Sequence, residues 1–398
     1  MLLILLPSGS IGGINLKMIV FFPLLIVTVD RSLKETRSFK ELAICLCILN
    51  VFIGWVFLSQ AYPLFEFRMG LIQYKDIITT LAGCWFIRVL TSKYNEATAF
   101  IRMCLFTVAI SGILKLLILL YAYSAGVPVA ELIGGISRLF GVQLMTMDLS
   151  DFFGRVEFTS DTLVPICIFT VLCMRKRLQI GNAVSLAMIV LFILSSILTF
   201  SRFIWANALA GFILGMLVAK KDRMHVIYIG VTTAATIWYF DAIAAIVNVR
   251  FSERQTDSSD MERIRQNVAL KSFFMDAPIF GHGLGSYSVQ VIRSPQFPYS
   301  YESQMYALAG QVGIVGMLLL SSLIVNYYRK AFTFKVGARI YECALLLMLI
   351  FYLANGFVNP TLVSSVSSVS FGLIFVLAYL GKAGEDQAKL LLGWTVGA

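Results

Sequence analysis

The chain has 398 residues, of which 59% are hydrophobic and only 14% charged, with a mean hydropathy of +0.83. Soluble domains carry roughly 45–50% apolar and about 25% charged residues, so a soluble globule, a disordered chain and a fibrous chain are all excluded. The net charge of +10, in so apolar a chain, reads as the basic bias of cytoplasmic loops and not as a nucleic-acid footprint.

The apolar runs are continuous and mostly near the ~20 residues that a helix needs to cross a bilayer. They lack the alternation of a membrane β-barrel. The sequence therefore predicts an all-α polytopic membrane protein, a single integral membrane domain over residues 1–398. Apolar stretches fall near 11–29, 41–60, 70–90, 97–124, 160–174, 180–198, 201–219, 224–246, 303–326, 340–357 and 361–381. The run from Met1 to Leu6 is too short to span; it reads as the remnant of a twelfth helix or an interfacial start. It lacks the basic start and small-residue cleavage site of a signal peptide. The expected count is thus about 11–12 transmembrane helices.

Lys and Arg in the short loops set the orientation. Nineteen fall on one side of the alternating path and nine on the other. The richer side, which holds Lys220, Lys221, Arg223 and Arg329 to Arg339, is expected to be cytoplasmic. Two outer loops are long, 125–159 and 247–302, and loops of that length are usually functional or disordered. The second carries six basic and six acidic residues, so it is not a simple electrostatic sponge. Seven cysteines all lie in apolar runs and read as small buried hydrophobes. No metal-site spacing is present, and no metal or other cofactor is expected.

Inside the second loop, Ser259-Asp260-Met261-Glu262 predicts a capping box opening a short amphipathic helix that Asp276-Ala277-Pro278 stops. Met261, Ile264, Val268 and Met275 share one face, which is expected to lie on the outer membrane surface or on neighbouring helices. Arg263 and Arg265 are two residues apart, hence ~200° apart around the axis. Geometry alone does not send both to one small ligand.

Strict alternation of the spans forces a tight outer turn at Thr199-Phe200-Ser201-Arg202. An ionisable residue at such a boundary is either functional or snorkels to headgroups. Arg202 stays charged at any pH and suits bidentate phosphate binding. The run Gly281-His282-Gly283-Leu284-Gly285 lacks the strand-and-helix context of a dinucleotide site and reads as a tight turn. His282 reads as a loop residue ahead of a catalytic base. Glu302 stands where the long loop re-enters the membrane, a place that suits either a general base or a helix-dipole partner. Lys75-Asp76 is either a satisfied pair or an interfacial mark; Lys17, Lys115 and Asp241 lie in apolar runs without an assigned role.

Taken in order, these features resemble a known family. Ser201-Arg202 opens a helix after a tight turn. A long outer loop then bears an arginine helix, followed by Pro-x-Phe-Gly-x-Gly-x-Gly from Pro278 to Gly285. A polar re-entry segment and Gly-Ile-Val-Gly from Gly313 to Gly316 complete the set. The set is similar to the O-antigen ligase and polymerase superfamily. The resemblance implies a GT-C-like fold and a glycosyltransferase in the bacterial inner membrane, with its active site and both long loops facing the periplasm. The implied donor is an oligosaccharide on undecaprenyl pyrophosphate, used without metal or nucleotide and with inversion. Membrane lipid, and beyond it a chain-length regulator and a flippase, are the implied partners; nucleic acid is not.

By position in the motifs, Arg202 is the implied first arginine for the pyrophosphate. Arg263 is the second, with Asn267 where the family has an aromatic residue and Arg265 as the nearby substitute. Family ligases place His-Asn eleven residues before the first glycine of Gly-Ile-Val-Gly; here that pair is Glu302-Ser303. The Glu-Ser version resembles the Wzy-type polymerase branch, with Glu302 as base. Arg254, Arg265, His282, Tyr301 and Ser303 complete the expected pyrophosphate and sugar contacts. A ligase passing polymer to lipid A-core is the nearest alternative, and a transporter of lipid-linked oligosaccharide is the alternative of another class.

Overall fold

A computed structural model describes residues 16–34, 36–62, 65–140, 154–219, 222–238, 240–241, 244, 247–248, 253–329, 331–332, 334 and 339–393. Among these the fold is all-α, with thirteen helices and no strand. They are α1 Leu16–Lys34, α2 Thr36–Leu58, α3 Phe67–Leu90, α4 Tyr94–Ala125, α5 Val129–Phe140, α6 Val164–Met174 and α7 Asn182–Ile197. There follow α8 Arg202–Val218, α9 Arg223–Trp238, α10 Glu253–Asp276, α11 Gln304–Tyr328, α12 Arg339–Ala354 and α13 Ser365–Gly393. Each of the eleven apolar stretches holds a helix. Among the described residues, three helical stretches are long and apolar enough to cross a bilayer: Tyr94–Ala125, Gln304–Tyr328 and Arg339–Phe357. Asn182–Ile197 and Arg202–Val218 are among the shorter apolar helices. Met1 to Leu6 lies outside the described residues.

The chain forms two compact units, one from residues 1–24, 93–256 and 337–348, the other from 25–92, 257–336 and 349–398. In the first, α6 is the buried centre. Pro165 sits in its opening turn, where a missing N–H costs nothing. Gly211 and Gly215 of α8, four residues apart, let that helix close on the Pro165 carbonyl and on Leu172. Helix α4 starts with Glu96 accepting from the Lys93 N–H at 3.2 Å and ends on left-handed Gly126. The loop expected over 125–159 contains a helix, α5, because Val129 and Ile133 bury against Ala122 and Val156.

In the second unit, α3 packs along α13, with the Thr80 hydroxyl donating to the Ser364 carbonyl at 3.1 Å. Trp55 and Phe52 of α2 join Ile77, Leu284 and Val312 in one apolar cluster. The cysteines divide: Cys84, Cys104 and Cys167 are buried, while Cys47 and Cys343 are exposed, contrary to the uniform burial expected. An apolar run in a membrane helix has a side turned to lipid as well as a packed side, so its cysteines need not be inside. Cys45 has its side chain outside the described residues.

Candidate active site

The expected helix of the second long loop is longer than its sequence signal. It starts at Glu253, so Ser259 lies inside it and is not its cap. Glu253, Arg254 and Gln255 are good helix formers and carry the helix back past that point. Its end at Asp276 is as expected. Leu270 and Phe273 face inward with Tyr301 and Ala307. Met261, Ile264, Val268 and Met275 are all exposed, so the described residues do not cover this apolar face.

Past Pro278 the glycine run threads through a break in α11. Gly313 has φ +62° and ψ −173°, a conformation essentially restricted to glycine, and it interrupts the helix. The break frees backbone groups that the run then satisfies. The N–H groups of His282 and Gly283 donate to the carbonyls of Gly310 and Gln311 at 3.0 and 2.8 Å. In return Ile314 and Val315 donate to Pro278 and Ile279. A Cβ on Gly281, itself at φ +72°, would stand 2.4 Å from the Gln311 backbone. Leu284 N–H goes to the Trp55 carbonyl, and Gly285 N–H to the Gln73 side chain, whose own amide holds Gln311. These N–H groups are all spent on the protein, so the run is a buckle between elements and not a phosphate cradle.

The buckle is made on the first half of α11, whose start carries Ser303 as its N-cap residue with Glu302 just before it. The Glu302 N–H donates to Gln266 Oε1 at 3.1 Å. Its carboxylate receives Arg263 Nε at 2.8 Å on one oxygen and Arg293 Nη2 at 3.2 Å on the other. Arg263 also reaches Asp260 at 3.3 Å. The three side chains remain about a quarter exposed: 25% for Arg263, 27% for Arg293 and 24% for Glu302. A small polar ligand can therefore reach them.

The Ser303 side chain does not cap α11. Its hydroxyl donates to Asn267 Oδ1 at 2.5 Å and lies 3.2 Å from the Phe357 carbonyl. Two of the three residues at which the sequence departs from the resembled pattern, Asn267 and Ser303, thus meet in one hydrogen bond. That contact is invisible along the chain, because the two residues stand 36 positions apart.

The other expected contacts fall differently. Tyr301 is buried; its hydroxyl donates to the Val291 carbonyl at 2.9 Å and accepts the Ser288 N–H at 2.9 Å. Burial pushes its phenol up to about 12. It is a strut of the loop, with no ring face offered to a sugar. His282 is buried and stacks on Phe273, ring centroids 4.1 Å apart, with Tyr62 on another side. Burial holds its imidazole below the usual value. Arg265 is exposed. Arg254 lies in α10, and its side chain is outside the described residues. Arg293 was one of six loop cations in the sequence, with no local signal to single it out.

Arg202 belongs to the first unit and is the first residue of α8, after a turn as tight as expected. Phe200 adopts φ +49°, strained for a bulky residue. The turn is tied locally: Thr199 Oγ1 donates to Ser196 O and accepts the Ser201 N–H, and Trp205 Nε1 donates to Ser196 O at 2.9 Å. A cation in the first turn opposes the helix dipole, so the helix itself gains nothing from Arg202 there. Below the turn, Lys115 is paired with Asp161 at 2.6 Å, both sealed from solvent, and reaches the Ser195 carbonyl at 3.3 Å. Lys75 and Asp76 form only a loose exposed pair at 3.7 Å.

Residues 186–321 match a family model described as O-antigen ligase. The match supports the O-antigen ligase and polymerase superfamily. It takes in Arg202, Arg263, the glycine buckle, Glu302 and Gly313. Members of that superfamily are glycosyltransferase-like enzymes of the O-antigen ligase or polymerase type, and the family implies a lipid-linked glycan and a membrane setting. No curated protein and no solved structure matches the chain.

Proposed function

We propose that this protein is a polysaccharide polymerase of the bacterial inner membrane, its site facing the periplasm. It moves the growing glycan from undecaprenyl pyrophosphate to the next lipid-linked repeat unit, with inversion and without a metal. The observation that supports polymerase over ligase is the carboxylate of Glu302, at the place where the ligases it resembles have histidine. Its position between Arg263 and Arg293 presents it as an ion-paired acceptor.

The chemistry follows from those groups. An acceptor sugar hydroxyl attacks the anomeric carbon from the face opposite the diphosphate. Glu302 takes the hydroxyl proton, and the electron pair of the breaking C–O bond leaves with the diphosphate. Fixed guanidiniums meet the charge that develops on the leaving group, and Arg263 supplies one. For Arg202 the proposal is separate: it binds donor phosphate by its planar fork. The match to an O-antigen ligase family favours transfer to lipid A-core as the second reading.

Reconstitution of the purified protein in liposomes with lipid-linked repeat units tests both. A ladder of longer lipid-linked chains supports the polymerase. Chains passed only to added lipid A-core support the ligase, and no transfer to either overturns the family of readings.

A further inference from the structure

We infer that Arg293 is a further catalytic residue of this site, which meets both Glu302 and the diphosphate and so couples proton uptake by Glu302 to departure of the leaving group. The inference rests on the reading above, in which Glu302 takes the acceptor proton. Arg263 and Arg293 bear two positive charges, and Glu302 and Asp260 two negative ones. A diphosphate donor therefore meets cations that already have anionic partners. The reaction resolves that conflict. As the hydroxyl oxygen bonds to the anomeric carbon, its proton moves to Glu302 and neutralises it. In the same step the C–O bond breaks and the diphosphate gains the electron pair. The two guanidiniums lose one anion and gain another, so no uncompensated charge is created in a half-buried place.

The geometry suits this exchange. Arg263 spends Nε on Glu302 and Nη1 on Asp260, whereas Arg293 spends Nη2 on the other Glu302 oxygen. A guanidinium has five N–H donors, so each retains donors for phosphate oxygens. Arg293 is on a loop, and the loop is pinned for the purpose. The buried Tyr301 hydroxyl holds Ser288 and Val291, just before Arg293, against the residue adjoining Glu302. Tyr301 thus sets the span over which Arg293 reaches its carboxylate.

The test is a double-mutant cycle on the full-length protein in liposomes, with lipid-linked repeat units as both donor and acceptor. Wild type, Arg293→Ala, Arg293→Lys, Glu302→Gln and the Arg293→Ala/Glu302→Gln double variant are compared for kcat and donor KM, per folded molecule. Arg293→Ala is expected to lower kcat by on the order of 10²-fold, with a much smaller change in KM. Arg293→Lys recovers only part, because a point charge does not replace a fork. The double variant should be slowed by much less than the product of the two single factors, since the coupling is already gone in Glu302→Gln. Should Arg293→Ala not fold, Arg293→Lys carries the same test. Wild-type kcat in the Arg293 variants, or a double variant slowed by the product of the two single factors, overturns the inference. A wild-type protein that elongates nothing defeats the functional reading instead.

Discussion

Arg202 and Arg263 are placed by different ranges of sequence. The turn that presents Arg202 is held by Ser196, Thr199 and Trp205, all within a few residues of it. Arg263 meets Glu302 39 residues away, and that meeting depends on the glycine buckle and on the loop that brings in Arg293. A site arginine on a short turn is specified locally. One in mid-helix is specified only when a distant segment returns to it. The first should therefore fail only by direct substitution, and the second also by damage to its remote supports.

The largest effects are expected at the arginines themselves. Arg202→Ala should abolish polymer in cells, and Arg202→Lys should leave it badly impaired. Arg263→Ala should be far worse than the exposed Arg265→Ala, whose chain-length ladder should stay near that of wild type. Equal losses at 263 and 265 would erase the distinction drawn from Glu302. Next comes remote damage. Gly313→Ala places a side chain at φ +62° and 2.3 Å from the Ile279 carbonyl. Its cost should be roughly 3 kcal/mol or more, read as a lower melting temperature together with lost elongation. A Gly313→Ala protein with normal melting would show that the buckle does not support the site.

A smaller effect is expected at the paired departures. Ser303→Ala leaves the Asn267 amide without its donor and should cost about 1–3 kcal/mol, checked by thermal melting. The smallest is a pH dependence at His282. Unfolded, this imidazole takes a proton near 6.5, whereas burial delays that to lower pH in the folded protein. The unfolded state thus binds more protons below 6.5, so stability present at neutral pH is lost on acidification through the folded value. Melting in detergent from pH 7.5 to 5 should show this decline, and His282→Gln should flatten it.

The helices were legible because length and continuous hydropathy need no tertiary information. So was the Arg202 turn, forced by alternating spans and confirmed by a helix start at that residue. The start of α10 was not, since Ser259 carries a capping signal that the helix-forming residues before it override. Nor was the role of the glycine run, because a run that buckles two elements and one that cradles phosphate need the same residue type. Tyr301 and His282 read as contacts from their place beside the motifs; the sequence did not show that both are buried, Tyr301 on the loop backbone and His282 against Phe273. Asp161, the partner of the intramembrane Lys115, and Arg293 were hidden for one reason: each pairing closes only across a fold-dependent distance.

The most direct test of the account is chain elongation by purified Glu302→Gln, normalised to folded protein and run beside wild type and His282→Ala. Glutamine keeps the shape of the side chain and removes its basicity. A positioned general base supplies about 10²–10⁴-fold. The account predicts a loss of that size for Glu302→Gln while lipid-linked substrate still binds, with far smaller changes in turnover for His282→Ala. Normal turnover by Glu302→Gln with a dead His282→Ala would contradict it and move the base to the histidine.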